Sequence, residues 1–187
     1  VHGRTRADRF KGQAEYQTIG EIVRAVTIPV IANGDIDSAE KARAVLALTG
    51  AAGVMVGRAA QGQLWLPGAI ASALSAGDEG AGAPSLSEQL RLQSEHLLRL
   101  HDFHGDHLGP RIARKHQAWL LESLTAQRAL SAEDARAWRQ AFNRIESAEE
   151  QIVCLREMTD ALMSAVSATT PTSQMSLPMC PQMLVAA

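Results

Sequence analysis

The chain has 187 residues, a formal net charge of −2, and 46% hydrophobic and 20% charged residues. This composition is ordinary for a soluble globular protein of one full or two small domains. The near-neutral charge excludes nucleic-acid binding through the overall field, so such affinity would need a local cluster of cations. No apolar run approaches the roughly 20 residues that cross a bilayer, and the opening VHGRTRADR is too polar for a secretory signal. We therefore expect a cytoplasmic protein.

Composition divides the chain into four segments. Residues 1–75 alternate short apolar runs with amphipathic helical patterns, whereas residues 85–162 carry helical periodicity alone. Residues 76–84, rich in Gly and Ala, predict a linker. Residues 163–187 mix Ser, Thr, Pro and Met without a period, which predicts a disordered tail. We expect an α/β domain followed by an all-α domain.

The first segment predicts the order helix, strand, helix, strand. Thr18 and Glu21 have the spacing of a capping box, and the apolar runs at 28–31 (IPVI) and 53–56 (GVMV) predict strands. Between the runs, Asp37 is expected to cap a helix that ends at Gly50. The residues expected on its buried side are Ala42, Val45, Leu46 and Leu48. A strand, helix and strand within about thirty residues predict a βαβ unit with parallel strands.

A glycine-containing loop follows each predicted strand, at 33–35 (NGD) and 57–60 (GRAA). Gly34 and Gly57 lack a Cβ, so backbone amides can approach an anion closely, and Arg58 adds a permanent cation. In (β/α)₈ barrels, the loops after the last two strands commonly bind phosphate together with the start of a short helix. The segment after Gly57 is a candidate for that helix. Either glycine alone would be read as a turn residue, but their joint placement predicts a phosphate-bearing ligand.

Three segments carry a family resemblance: HGRTR at 2–6, IPVIANGDI at 28–36 and TGAAGVMVGRAAQGQLWL at 49–66. They resemble the tRNA-dihydrouridine synthases, most closely the bacterial B-type. The resemblance implies that residues 1–75 are the C-terminal part of an FMN-binding TIM (β/α)₈ barrel whose first part is missing. It also implies that His2 contacts the flavin. The residues that it implies around the FMN phosphate are Asn33, Gly34, Asp35, Gly57 and Arg58.

Residues 85–162 predict three amphipathic helices that could form a small helical bundle. Ser85 and Glu88 make a capping box, and the pattern breaks at residues 105–110. Ser131 and Asp134 open the third helix. The apolar positions that indicate these helices are Leu86, Leu90, Leu97, Leu100, Ile112, Trp119, Leu120, Trp138, Phe142, Ile145, Ile152 and Leu155.

The most concentrated positive charge lies in the second of these helices, at Arg111, Arg114, Lys115 and His116. Without context, such a cluster is usually a solvated helix face. GPRIARKHQAWLL, however, resembles the segment that follows the barrel in bacterial dihydrouridine synthases, whose helical domain binds tRNA. The resemblance implies that these four residues contact tRNA, through salt-sensitive phosphate contacts. His101 and His104 could share a helix face but lack a third ligand, so we expect no metal site.

The resemblance implies FMN-dependent, NADPH-linked reduction of uridine to 5,6-dihydrouridine in tRNA. The family's proton donor is a cysteine in the earlier half of the barrel. Neither Cys154 nor Cys180 falls at that position, and the two are too far apart to predict a disulfide or zinc site. We therefore expect no catalytic residue in this chain. Because the missing barrel strands would leave open sheet edges, we expect the chain alone to be poorly stable and inactive. We expect the full-length protein to be a monomer. Two alternatives stay open: another FMN-dependent pyrimidine dehydrogenase, or a non-catalytic RNA-binding helical module with a barrel remnant.

Overall fold

The computed structural model describes residues 1–8, 11–76 and 82–169. Within these ranges the chain is mostly helical, with one small parallel sheet, and the described residues do not close into a barrel. The elements in chain order are α1 (Gln17–Ala25), β1 (Ile31–Asn33), α2 (Ala39–Thr49), β2 (Gly53–Met55), a 3₁₀ turn (Arg58–Ala60), α3 (Leu66–Ala76), α4 (Leu86–Ala126), α5 (Ala132–Arg144) and α6 (Ala148–Thr169).

The predicted βαβ unit is confirmed. β1 and β2 pair in parallel, with Ala32 opposite Val54, and α2 makes the crossover between them. β1 begins three residues after the start of the apolar run, because Pro29 has no N–H to give to a strand ladder. The N-terminal segment lies along the other side of β1, since His2 forms a parallel bridge with Asn33. His2 and the carboxyl ends of β1 and β2 therefore lie together at one edge of the sheet.

The predicted start of α1 is wrong. The helix begins at Gln17, after Tyr16, and the capping box expected from Thr18 and Glu21 does not form. The Glu15 carboxylate instead accepts hydrogen bonds from the backbone N–H groups of Gln17 and Thr18. A carboxylate at a helix N-terminus also opposes the positive end of the helix dipole, so this arrangement satisfies the same unpaired donors.

The start of α2 is shifted by one residue from the prediction. Ser38, not Asp37, caps the helix, and its Oγ accepts from the backbone N–H of Lys41 at 3.1 Å. The helix ends as predicted at Gly50, which has the left-handed φ of 69° that favours glycine. Leu48 was expected to be buried but is 60% exposed, because it lies beyond the edge of the stripe that faces the core. That stripe consists of Ala42, Val45 and Thr49.

α4 is a helical hairpin. Gly105 has non-helical backbone angles of φ 71° and ψ 176° and divides α4 into a first arm (residues 86–104) and a second arm (residues 106–126). The arms are joined side by side, because Gln93 donates to Gln117 at 3.2 Å and the rings of His96 and His116 are hydrogen-bonded at 2.9 Å. The break predicted over residues 105–110 is thus confirmed but is confined to one glycine.

The hairpin packs against α5 and α6 around a shared apolar core. Ser85 and Ser131 cap α4 and α5 as predicted, each accepting from the backbone N–H three residues later. Most of the apolar positions predicted from helical spacing lie in this core. Its fully buried members include Leu90, Leu97, Leu120, Phe142 and Leu155.

The single third helix predicted from Ser131 onward is wrong. Ile145 is extended, with φ −78° and ψ 129°, and α6 begins after it, with Ser147 Oγ accepting from the backbone N–H of Glu150. α6 also runs to Thr169, seven residues past the predicted end of the helical segment at 162, and the first residue of this extension, Met163, packs against the core. Residues 77–81 of the predicted linker and 170–187 of the predicted tail lie outside the described residues.

Candidate functional site

A cavity of about 430 Å³ opens at the carboxyl ends of β1 and β2. We call it the strand-end cavity. It contains all six residues predicted to hold FMN, together with three neighbours that the prediction missed. Its lining is His2, Asn33, Gly34, Asp35, Ile36, Asp37, Gly57, Arg58 and Ala59.

The loop after β1 has an unusual backbone that only certain residues tolerate. Gly34 has φ 132°, and a Cβ there would lie 2.8 Å from the Cβ of Ala14. Its carbonyl oxygen accepts a hydrogen bond from Tyr16 Oη at 2.7 Å. Asn33 Nδ2 donates to Met55 O at 2.8 Å and so connects the ends of the two strands. The two loops are therefore held at a fixed separation on one edge of the sheet.

Asp35 is the electrostatic centre of the cavity. Its Oδ2 accepts from Arg4 Nη2 at 2.5 Å and from the backbone N–H of Ala14 at 3.0 Å, and Arg58 Nη2 lies 3.6 Å from Oδ1. The hydrogen bond from Arg4 lowers the pKa of Asp35 below its ordinary value, and the Ala14 amide and the two guanidinium charges act in the same direction. The carboxylate is therefore ionised and paired at neutral pH.

Arg4 was not predicted as part of this site. Its side chain is only 4% exposed, whereas that of Arg58 is 52% exposed. Arg4 thus acts from within the protein, behind Asp35, and Arg58 acts from the open side. In the sequence Arg4 is one of two arginines in HGRTR, and nothing in the spacing indicates which of them turns inward.

The helix expected immediately after Gly57 does not form. Only the 3₁₀ turn at Arg58–Ala60 follows, and α3 begins at Leu66. Gly62 has a φ of 72°, which is incompatible with a continuous α-helix from Gly57. Pro67 is better suited to the first turn of α3 than to a helix interior. An anion in the strand-end cavity would therefore meet a guanidinium and loop amides from this segment, not the end of an α-helix.

A second concave surface lies between the second arm of α4 and α5, with a volume of about 510 Å³. We call it the basic groove. Arg111 and Lys115 are exposed along it, and Lys115 Nζ lies 4.9 Å from the centre of the Trp119 ring. α5 contributes a further cation that the prediction missed. The lining is Arg111, Arg114, Lys115, Ala118, Trp119, Glu122, Arg139 and Asn143.

Two of the four predicted RNA-contacting residues have roles inside the fold. Arg114 is half-buried, and its Nη2 donates to Ile145 O at 3.0 Å, which fixes the connection between α5 and α6. His116 is partly buried against His96 and lies outside the basic groove. Burial lowers the pKa of both histidines below the ordinary value. His116 is thus placed to join the arms of the hairpin as a neutral ring.

No group of three His, Cys, Asp or Glu side chains able to hold a metal occurs among residues 1–8, 11–76 and 82–169. His101 is buried and its Nε2 is hydrogen-bonded to Gln151 Oε1 at 2.9 Å, whereas His104 is exposed. Cys154 lies in the helical core, where burial raises the pKa of its thiol; Cys180 lies outside the described residues. In the same part of the chain, each helix is too short or too polar to cross a bilayer.

A parallel βαβ unit with glycine loops and an arginine at adjacent strand ends is typical of phosphate-binding α/β proteins. The model of the dihydrouridine synthase family matches residues 1–167, and the chain belongs to that family. It is 51% identical over 157 residues to "tRNA-dihydrouridine synthase B" of Pseudomonas syringae pv. tomato, covering 84% of this chain and 44% of that protein.

Two further relatives carry the same name. The protein of Vibrio cholerae is 46% identical over 164 residues, covering 88% of this chain and 48% of that protein. The protein of Pseudomonas putida is 49% identical over 156 residues, covering 83% and 44%. The chain thus spans a little under half the length of the curated relatives that it matches.

Proposed function

We propose that this chain provides the FMN phosphate site and an RNA-binding surface of an enzyme that reduces uridine to 5,6-dihydrouridine in tRNA, with NADPH as the reductant. The observation that carries the proposal is the convergence of His2, the 33–35 loop, Gly57 and Arg58 on one cavity. Its second support is membership of the dihydrouridine synthase family. The names of the relatives supply the substrate, tRNA.

The chemistry of the strand-end cavity fits a phosphate-bearing cofactor. A volume of about 430 Å³ lies within the range of small-molecule sites. Arg58 offers a forked set of donors, and the glycines at 34 and 57 leave the backbone open to close approach. Two carboxylates also line the cavity, but that of Asp35 is paired with Arg4. When bound, FMN supplies the two-electron redox chemistry, and the protein supplies its orientation.

We assign the βαβ unit to the C-terminal part of a (β/α)₈ barrel. Two parallel strands with an α-helical crossover are its repeating unit, and the phosphate loops of such barrels follow the last two strands. His2 lies beside Asn33 in a parallel bridge, as expected for the end of a preceding strand. We assign α4, α5 and α6 to a separate helical domain because they share one core. Cys154 is not proposed as the proton donor, since its thiol is buried in that core.

We place tRNA on the basic groove. Arg111 and Lys115 are exposed cations one helical turn apart, a spacing suited to successive backbone phosphates. Trp119 adds an aromatic surface beside them. Contacts with backbone phosphates do not depend on the identity of the bases. They would therefore position the RNA, and other contacts would select the uridine.

The cofactor assignment is tested by comparing FMN with riboflavin, which lacks the phosphate. We expect the 187-residue chain to bind FMN more tightly than riboflavin in equilibrium dialysis. Arg58→Met is expected to remove most of that preference while leaving riboflavin binding unchanged. Equal affinity of the wild-type chain for the two flavins would contradict a phosphate site in the strand-end cavity.

A further inference from the structure

Arg4 is buried directly behind the strand-end cavity. Its Nη2 donates to Asp35 Oδ2 and to Gly12 O, both at 2.5 Å, and its Nε donates to Lys11 O at 3.1 Å. One guanidinium therefore ties the loop after β1 to residues 11–12, which lie more than twenty residues earlier in the chain. A buried cation with this many partners is fixed in position, so its charge has a defined effect on the cavity.

The charges around the cavity do not by themselves favour an anion. Counting histidine as neutral, the lining carries two carboxylates, Asp35 and Asp37, and one guanidinium, Arg58. The lining therefore has a net charge of −1, and the charge of Arg4 brings the total to zero. Because interactions between charges are stronger away from bulk water, one additional cation behind the lining matters for a dianionic group.

The backbone of Asp35 also depends on this pairing. Asp35 has φ 48°, in the left-handed region that non-glycine residues rarely adopt. Arg4 Nη2 and the backbone N–H of Ala14 both hold its Oδ2. These bonds fix the position of Oδ2 and help to maintain the loop in its unusual conformation.

We propose that Arg4 is a positioning residue that makes the strand-end cavity able to accept a phosphate group. It neutralises Asp35 and holds the 33–35 loop in the conformation that presents its backbone to the ligand. This inference rests on the proposed FMN site and assigns a role to a residue that does not itself line the cavity.

The inference predicts an effect that is specific to the phosphate. In Arg4→Met the charge of Asp35 is no longer offset from behind, and Arg58 alone must face both Asp35 and the phosphate, so FMN affinity is expected to fall on the order of tenfold or more. Riboflavin affinity is expected to change little, because riboflavin carries no phosphate. Arg4→Lys retains the charge and is expected to preserve most of the preference for FMN. Adding Asp35→Asn to Arg4→Met removes the extra negative charge, while the Ala14 N–H can still hold the side-chain oxygen at position 35, so part of that preference is expected to return.

The experiment measures binding of FMN and riboflavin to the 187-residue chain and these variants, with circular dichroism to confirm folding. Arg24→Met, which removes an exposed arginine of α1 away from the cavity, is the matched control. A wild-type chain without preference for FMN would refute the cofactor site itself. Two outcomes would refute only the role of Arg4. One is an Arg4→Met variant that still prefers FMN over riboflavin as the wild type does. The other is an Arg4→Met variant that loses affinity equally for both flavins and does not regain it when Asp35→Asn is added.

A second variant keeps the test decisive if Arg4→Met does not fold. In Asp35→Asn the side-chain amide oxygen can still accept from Arg4 and from the Ala14 N–H, and Asn tolerates the left-handed conformation, so the loop is expected to stay in place. The variant makes the cavity more positive, so the preference for FMN is expected to rise. A preference that falls or stays constant in this variant contradicts charge neutralisation by Arg4.

Discussion

Gly62 lies directly against the backbone of Trp119. A Cβ atom on Gly62 would fall 2.2 Å from Trp119 O and 3.0 Å from the Cβ of Ser123, and Gly62 has a φ of 72°. This contact joins the segment that follows the strand-end cavity to the second arm of α4, which lines the basic groove. The two candidate sites are therefore connected through one close approach between backbones.

Gly62→Ala is expected to destabilise the chain by about 2–4 kcal/mol, because it adds a steric overlap with rigid backbone to a left-handed conformation. The free energy of unfolding from urea denaturation measures the effect. Gly68→Ala is the matched control: Gly68 lies in α3, its added Cβ meets nothing within 4 Å, and alanine should stabilise the helix by about 0.5–1 kcal/mol. Similar values for the two variants would mean that the Gly62–Trp119 contact does not persist in solution.

Asp35→Asn is expected to remove an acid-dependent part of the stability. The pKa of Asp35 is lowered in the folded state, chiefly by the hydrogen bond from Arg4, so its ionised form favours folding. That contribution is complete above the ordinary Asp value of 3.8 and is lost as pH falls through the lower folded value. The stability difference between wild type and Asp35→Asn should therefore be constant at neutral pH and shrink in acid. Exposed Asp102→Asn should show no such convergence.

The cavity was predictable from sequence because its residues directly follow two apolar runs. Parallel strands bring their carboxyl ends to one edge, so Gly34 and Gly57 had to become neighbours once both runs were assigned as strands. Arg4 was not predictable in the same way. Its partner Asp35 is 31 residues away, and no periodicity connects the two positions.

The helical boundaries show a different limit of the sequence. Asp37 and Ser38 are adjacent and both can cap a helix, so composition alone does not decide between them. Between α5 and α6, the apolar spacing from Phe142 through Ile145 to Ile152 continues as if the helix were unbroken. At the break, the carbonyl oxygen of Ile145 accepts from Arg114 and from Gln151, and the bond from Arg114 joins distant segments, so the local pattern does not contain it.

The His96–His116 pair is expected to make stability depend on pH in a higher range. Burial lowers the pKa of both rings in the folded state, so folding favours the neutral forms. Their contribution is complete above the ordinary value of 6.5 and is lost as pH falls from there toward the lower folded values. Lys115 and His104 add like charge near His116 and act in the same direction.

His116→Gln is the variant that checks this dependence. It keeps a hydrogen-bonding side chain but cannot be protonated, so the free energy of unfolding should fall less steeply below pH 6.5 than in the wild type. His107→Gln, at an exposed position near the hairpin break, is the control and should leave the slope unchanged. An unchanged slope in His116→Gln would mean that the pair stays protonated or open in solution.

Arg111→Ala/Lys115→Ala is expected to weaken tRNA binding without changing stability, because both side chains are exposed and lie along the basic groove. Each lost phosphate contact should reduce the slope of log K against log salt concentration by about one, so the pair should reduce it by about two. Filter binding of tRNA over a series of salt concentrations measures both effects. Arg99→Ala, which removes an exposed cation paired with Glu95 on the first arm, is the control.

Substitution of Arg114 distinguishes two roles that a residue of the basic cluster could have, namely contact with tRNA and support of the fold. Its Nη2 holds Ile145 O, so Arg114→Ala should lower the unfolding free energy by about 1–3 kcal/mol, because a half-buried carbonyl loses a charged donor. If Arg114 also contacts a tRNA phosphate, the tRNA affinity of Arg114→Ala should fall by as much as that of Arg111→Ala, measured at a temperature where the variant is folded. A variant that loses stability but keeps its salt dependence would place Arg114 with the fold, and leave Arg111 and Lys115 as the cations of the groove.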